Sequence, residues 1–154
     1  MDLSELANYW GCDGAPARRY HHTAPITSVY QLREALALAT EEGLENMWKR
    51  HSACSAQLRE GVKKLGLSIL INEPEHILPT LTGVMVPQGV DWKAVTGYLM
   101  KNYRIEISGG LGYTAGQIWR IGLMGYNARP DAVDTLLRAF KEALEAHGYT
   151  PSKM

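Results

Sequence analysis

The chain has 154 residues, of which 45% are hydrophobic and 21% charged, as expected for a single globular domain with a buried core. Sixteen basic residues balance sixteen acidic ones, so no net charge draws the chain to nucleic acid or to an anionic membrane. Cys12 and Cys54 lack the spacing of a zinc knuckle or a disulfide scaffold, and no apolar run approaches the ~20 residues of a membrane span. These features predict a soluble intracellular domain.

The first 25 residues contain no pattern of a core strand. An apolar face with nothing nearby to cover it is formed by Leu3, Leu6, Tyr9 and Trp10. We therefore expect residues 1–25 to be a segment at an interface between domains or subunits, in a chain that begins partway through a larger protein.

Two helices are predicted next. Ser28, with Gln31 three residues later, matches a capping box, and this helix ends at Gly43. The second helix runs from residue 44 to a stop at Gly66. Its apolar stripe consists of Met47, His51, Cys54, Leu58, Val62 and Leu65.

Alternation of apolar residues then predicts strands at 67–71 (LSILI) and at 80–87 (TLTGVMVP), the second closed by a proline. Asp91 is the predicted N-cap of a third helix, whose inward side chains are Trp92, Val95 and Leu99.

The remaining pattern predicts a short strand at 104–107 (RIEI), a glycine-rich turn, a strand at 117–125 (QIWRIGLMG) and a last helix that begins at Pro130. Strands and helices mix without a strict βαβ repeat. We expect an α+β fold, with a mainly antiparallel four-stranded sheet and helices packed on one face.

The stretch 17–26 (ARRYHHTAPI) carries many polar groups. Adjacent His21 and His22 point to opposite sides of an extended segment, and no Cys or carboxylate completes a shell, so we predict no metal site. Binding of an anion is better motivated, and an ordinary basic loop is the alternative. The candidate donors are Arg18, Arg19 and the hydroxyls of Tyr20 and Thr23.

Arg120 lies in the middle of an apolar strand, so its charge must reach solvent at a sheet edge or meet an anion such as a carboxylate. The turn SGGLG (108–112) matches neither GxGxxG nor a Walker motif, and we interpret it as a turn that needs positive φ and close backbone approach. His51 and Cys54 are three residues apart on an apolar stripe, which indicates core residues rather than a nucleophile pair.

Four segments carry a resemblance to a known family: LANYWGCDG, YHHTAPITSVYQLREALALATEEGLEN, IEISGGLG and RIGLMGYNA. Together they resemble the C-terminal part of alanine–glyoxylate/serine–pyruvate aminotransferases, which are class-V, fold-type I enzymes dependent on pyridoxal phosphate. The resemblance runs from about Leu6 to about Leu144. It implies that residues 26–154 form the small domain of a homodimeric enzyme, which transfers an amino group from alanine or serine to glyoxylate or pyruvate.

The resemblance also implies roles for single residues. Tyr20 and Thr23 match the family positions that reach the phosphate of the partner subunit's cofactor, and Arg120 matches the arginine that binds the substrate α-carboxylate. In that family, a large N-terminal domain carries the Schiff-base lysine, the aspartate on the pyridine nitrogen and the ring-stacking residue. The resemblance of this chain does not extend to that domain. We therefore expect no catalytic residue on this chain, which should fold by itself without transaminating.

The final residues, Ser152-Lys153-Met154, resemble the peroxisomal address Ser-Lys-Leu and imply recognition by a peroxisomal import receptor. Mitochondrial or cytoplasmic location is the alternative. Two alternatives for function also stay open: a related transaminase with another donor, of kynurenine type, and a stand-alone α+β binding or regulatory module.

Overall fold

The computed structural model describes residues 2–150, which fall into two compact units divided between Glu42 and Gly43. The first unit contains helices α1 (Leu3–Trp10) and α2 (Ile26–Glu42). The second contains, in chain order, α3 (Leu44–Lys64), β1 (Leu81–Met85), α4 (Trp92–Tyr103), β2 (Ser108–Gly109), β3 (Ile118–Gly122) and α5 (Pro130–Ala146). Short 3₁₀ turns lie at Pro74–His76, Gly112–Thr114 and Gly125–Asn127. The α+β class is confirmed.

Helix α1 is an element that the sequence analysis missed. Its N-cap is Asp2, whose Oδ1 accepts hydrogen bonds from the backbone N–H groups of Ser4 at 2.9 Å and Glu5 at 3.2 Å. The helix ends at Gly11, which adopts a φ of 75°. Asp2 followed three residues later by Glu5 is the same capping pattern that indicates a helix elsewhere, so the signal was present.

Helix α2 begins two residues before the predicted cap. The N–H of Val29 already donates to the Pro25 carbonyl at 3.1 Å, so Ser28 lies inside the first turn and the prediction of Ser28 as N-cap is wrong. None of the residues of α2 is buried, and its apolar side chains Val29, Leu32 and Leu36 are exposed.

The three helices of the second unit follow their predictions. In α3, the stripe that includes Leu58 and Val62 is buried, and Gly66 follows the helix with a φ of 75°. In α4, the Asp91 carboxylate accepts hydrogen bonds from the N–H groups of Lys93 and Ala94. Helix α5 has Pro130 in its first turn, where the missing N–H costs nothing.

Among residues 2–150 the sheet has three strands in the order β1-β3-β2, both pairs antiparallel, so the prediction of four strands is wrong. Its register sets Gly83 of β1 and Ser108 of β2 on either side of Arg120 in β3. Arg120 therefore belongs to the central strand, and the alternative of an arginine at the sheet edge is wrong.

Residues 67–71 run beside β1 but form only an isolated bridge, between Ile69 and Val84. The next pair of the ladder would join Asn72 to Leu81, but the N–H groups of both residues are engaged elsewhere. The Asn72 N–H donates to the Glu73 carboxylate at 3.2 Å, and the Leu81 N–H donates to the Leu78 carbonyl at 3.2 Å. The predicted first strand therefore stops after one bridge.

The predicted strand at 104–107 fails for a different reason, because its start belongs to the end of α4. Arg104 is the C-cap in the left-handed region, with a φ of 57°, and the Ile105 N–H donates back to the Leu99 carbonyl at 3.3 Å. Pairing with β3 starts only at Ser108.

One face of the sheet carries the core. Trp119 and Ile121 of β3 are buried together with Val84 of β1, against the apolar stripes of α3, α4 and α5. The Trp119 ring meets Phe140 edge-on at 5.1 Å between centroids, and its Nε1 donates to the Trp92 carbonyl at 3.2 Å. Because side chains alternate along a strand, Arg120 lies on the face opposite this core.

Within the described residues, no helix is both long enough and apolar enough to cross a membrane.

Candidate functional site

Arg120 is half-buried on the face of the sheet opposite the core. Its Nε donates to the Gly109 carbonyl of β2 at 2.7 Å, which fixes the plane of the guanidinium against the sheet. No carboxylate among residues 2–150 forms an ion pair with it. A planar guanidinium held on a rigid strand suits bidentate capture of a carboxylate.

The turn after β2 holds that carbonyl in place. Gly110 is required for close approach, because a Cβ there would lie 2.0 Å from the Thr114 carbonyl oxygen. A Cβ on Gly109 would lie 2.5 Å from the Trp92 ring. The turn was predicted to need glycine for close backbone approach and for positive φ. Close approach is confirmed at Gly110, and positive φ is confirmed at Gly112, with a φ of 54°.

Two hollows open beside Arg120. The larger, of about 630 Å³, is also lined by Arg104, Glu106 and Asn127. The smaller, of about 260 Å³, is lined by Arg120 with Arg59, His76 and Thr114 among others. Guanidinium groups outnumber carboxylates in both linings, so both hollows favour an anion.

Tyr20 and Thr23 lie together in the first unit. The Tyr20 hydroxyl hydrogen-bonds the Thr23 hydroxyl, and the Tyr20 side chain is 72% exposed. Helix α2 begins three residues after Thr23, and a helix N-terminus favours negative charge. Two adjacent hydroxyls beside a helix N-terminus can donate to a phosphate.

His21 and His22, the two residues between Tyr20 and Thr23, contact each other and do not form part of a metal-ligand set. His21 Nδ1 and His22 Nδ1 are 2.9 Å apart and share a hydrogen bond, and the His22 ring packs on Tyr9 at 5.3 Å between centroids. Tyr9 also meets Tyr20 edge-on at 6.0 Å. These ring contacts set the orientation of the segment. Among residues 2–150, no group of three or more His, Cys, Asp and Glu side chains is arranged to hold a metal ion.

Arg18 and Arg19, the other donors of the predicted anion site, are directed elsewhere. Arg19 Nη2 pairs with Glu5 at 2.8 Å, and the Arg18 guanidinium lies against Gly11. The structure therefore brings together the two hydroxyls of the predicted set but not the two arginines with them.

Asn8 is a residue that sequence reasoning missed. It is almost completely buried in α1, accepts the Arg19 N–H at 2.8 Å and donates to Asp13 at 3.0 Å. The Ala15 N–H and then the Asn8 amide lower the pKa of Asp13 by hydrogen bonding to its carboxylate. A lone polar residue between apolar ones on a helix was the available signal.

His51 and Cys54 are core residues, as predicted. Cys54 is 2% exposed, and burial raises the pKa of its thiol, which disfavours the thiolate that nucleophilic chemistry needs. Both ring nitrogens of His51 contact backbone groups, of Met47 and Gly125, and not the thiol.

The family model for class-V aminotransferases matches residues 1–136. An alanine–glyoxylate aminotransferase of Callithrix jacchus is 49% identical over 145 residues, which cover 94% of this chain and 35% of that protein. The crystal structure of an alanine–glyoxylate aminotransferase from Nostoc sp. superposes with a TM-score of 0.80 and 48% identity over 93% of this chain and 37% of that one. A ureidoglycine–glyoxylate aminotransferase from Bacillus subtilis gives a TM-score of 0.82 and 38% identity over 99% of this chain and 38% of that one.

The chain thus spans roughly a third of the length of the relatives it matches, 35% in the Callithrix jacchus protein. The match to the family model extends over most of the chain, including Tyr20, Thr23 and Arg120. The chain belongs to the class-V aminotransferase family.

Proposed function

We propose that this chain is the C-terminal part of an aminotransferase that moves an amino group from alanine or serine to glyoxylate or pyruvate. Support comes from five relatives named alanine–glyoxylate aminotransferase, which are 45% to 49% identical over 94% of the chain. In this proposal residues 1–25 are an interface segment and residues 26–154 are the small domain. The observation that carries it is Arg120, a cation on the central strand with no carboxylate partner among residues 2–150.

Arg120 has the role of binding the α-carboxylate of the amino acid, and then of the keto acid. Its Nε is engaged with the Gly109 carbonyl, so the two Nη atoms are oriented by the sheet before substrate arrives. A group held in advance loses little entropy when it binds, which favours one fixed orientation of the α-carbon.

Tyr20 and Thr23 are assigned to the phosphate of pyridoxal phosphate. The residues present fit such a group, because two exposed hydroxyls lie side by side before the N-terminus of α2. In a homodimer these hydroxyls would act on the cofactor of the partner subunit, while His21 and His22 orient the segment. Bound pyridoxal phosphate would supply the electron sink that makes the α-proton acidic.

The lysine that attaches the cofactor is not assigned to this chain. We assign none of its helix lysines, among them Lys49, Lys63 and Lys93, to the Schiff base, and no residue of the chain to the α-proton. The 154 residues by themselves are therefore proposed to bind anions without turnover.

A panel of amino donors tests the function in the complete protein that carries this chain. Alanine or serine with glyoxylate or pyruvate should give a kcat/KM at least about tenfold above that of kynurenine, and the 154-residue chain should match a cofactor-only control. Preference for kynurenine would favour the related transaminase. A complete protein without pyridoxal phosphate binding or turnover would favour the binding module and contradict the proposal.

We also propose a peroxisomal location, read by an import receptor from Ser152-Lys153-Met154. These three residues lie outside the described part of the chain. A fluorescent protein that ends in the last residues through Met154 should collect in peroxisomes, and deletion of Met154 should release it. Diffuse fluorescence of the intact fusion would leave the mitochondrial or cytoplasmic alternatives.

A further inference from the structure

Two adjacent side chains of α3 hold the loop of residues 123–129, which follows β3. Arg50 Nη1 donates to the carbonyl oxygens of Gly125 and Ala128, both at 2.8 Å. The N–H of Gly125 donates to His51 Nε2 at 3.0 Å. These bonds join residues 74 to 78 positions apart in the sequence.

The His51 ring is fixed at both nitrogens. Its Nδ1 lies 2.7 Å from the Met47 carbonyl oxygen, which can only accept, while Nε2 faces an N–H, which can only donate. This geometry requires a ring with its proton on Nδ1 and a lone pair on Nε2. At 8% exposure, the ring has little access to water that could replace either bond.

The loop itself has mainly local backbone bonds. Asn127 donates to the Met124 carbonyl and Ala128 to the Gly125 carbonyl, each at 3.2 Å, so these bonds shape the turn without attaching it to the fold. The side chains of Met124 and Tyr126 are exposed, while Ala128 is buried. Arg50 and His51 thus contribute polar attachment where the exposed tip of the loop has little packing.

The same loop forms a wall of the larger hollow beside Arg120. Met124 and Asn127 line this space of about 630 Å³ together with Arg120. A shift of Gly125 would therefore move the wall that faces the guanidinium, even though α3 supplies no residue to that lining.

We propose that His51 is a positioning residue for the substrate: by accepting the Gly125 N–H, it sets the loop 123–129 against Arg120 and so fixes how the substrate acid is bound. This inference rests on the carboxylate-binding role proposed for Arg120. His51 touches no substrate and acts through the loop. Its contribution is to binding geometry, so its loss raises KM more than it lowers kcat.

The amides of asparagine and glutamine separate this role from packing. The glutamine oxygen extends as far from the backbone as Nε2 and can accept the Gly125 N–H, whereas asparagine reaches only as far as Nδ1. In the complete protein, His51→Asn should raise the alanine KM about tenfold with kcat within about twofold, and His51→Gln should restore KM to within about threefold of wild type.

Arg120→Ala, assayed in parallel, distinguishes the two proposals. An unchanged alanine KM for Arg120→Ala would overturn the carboxylate role and with it this inference. If Arg120→Ala does raise the KM, either of two results would overturn the positioning role alone. One is that His51→Asn lowers kcat and thermal stability together. The other is that the alanine KM of His51→Gln is no lower than that of His51→Asn. If His51→Asn does not fold, a folded His51→Gln protein decides: wild-type KM supports the role, and a tenfold rise contradicts it.

Discussion

Replacing Arg120 by alanine should raise the KM for alanine and serine by on the order of ten- to a hundredfold in the complete protein. A charge-assisted contact to a carboxylate contributes about 1.5–3 kcal/mol, and the guanidinium is already oriented by its bond to the Gly109 carbonyl. Steady-state kinetics with varied amino donor measures the effect.

Arg120→Lys should recover only part of this loss, because an ammonium keeps the charge but cannot make two parallel hydrogen bonds. Arg138→Ala is the matched control, since it removes an exposed arginine of α5 and the same formal charge. Unchanged donor kinetics in Arg120→Ala, or an equal effect of Arg138→Ala, would contradict the assignment.

The double change Tyr20→Phe with Thr23→Ala should weaken binding of pyridoxal phosphate by about a hundredfold or more. Each hydroxyl can donate to a phosphate oxygen, and hydrogen bonds to charged groups are worth about 1.5–3 kcal/mol. Equilibrium dialysis of the cofactor against the complete protein measures the dissociation constant. Tyr30→Phe, which removes an exposed hydroxyl of α2, is the control and should leave the constant unchanged.

The sequence predicted the helices of the second unit because their signals are local. Asp91, Gly66 and Pro130 mark helix ends through bonds and backbone angles within a few residues. Spacing of apolar residues then identified the buried faces, since a helix brings residues three and four apart to one side.

The strands could not be predicted as well, because their pairing depends on residues far away. Alternation at 67–71 is real, yet the N–H groups of Asn72 and Leu81, which would extend the pairing with β1, donate to Glu73 and Leu78 instead. At 104–107 the apolar pattern predicted a strand, but its first residue, Arg104, is the C-cap of α4 in the left-handed region. The hydrogen-bond partners of a strand segment are therefore determined by the whole fold and not by the segment alone.

The candidate site was also predicted only in part. Spacing alone did not decide whether Arg120 faces solvent or binds an anion, and the resemblance to a family favoured the anion. Its place on the central strand, paired to both neighbours, follows from the register and was not predicted. The contacts of His51 and Arg50 with the loop at Gly125 were also beyond reach, because they join positions 74 and 75 residues apart.

Dimers of two different subunits test the central claim most directly, namely that Tyr20 and Thr23 of one subunit and Arg120 of the other complete one site. One subunit carries Arg120→Ala and the other carries Tyr20→Phe with Thr23→Ala, each with its own affinity tag. If the hydroxyls act on the partner's cofactor, one site of the mixed dimer combines both changes and the other combines neither. Purified mixed dimers should then recover about half of the wild-type alanine–glyoxylate activity, although each parent dimer is impaired at both sites. Activity of the mixed dimer no higher than that of its parents would contradict the account.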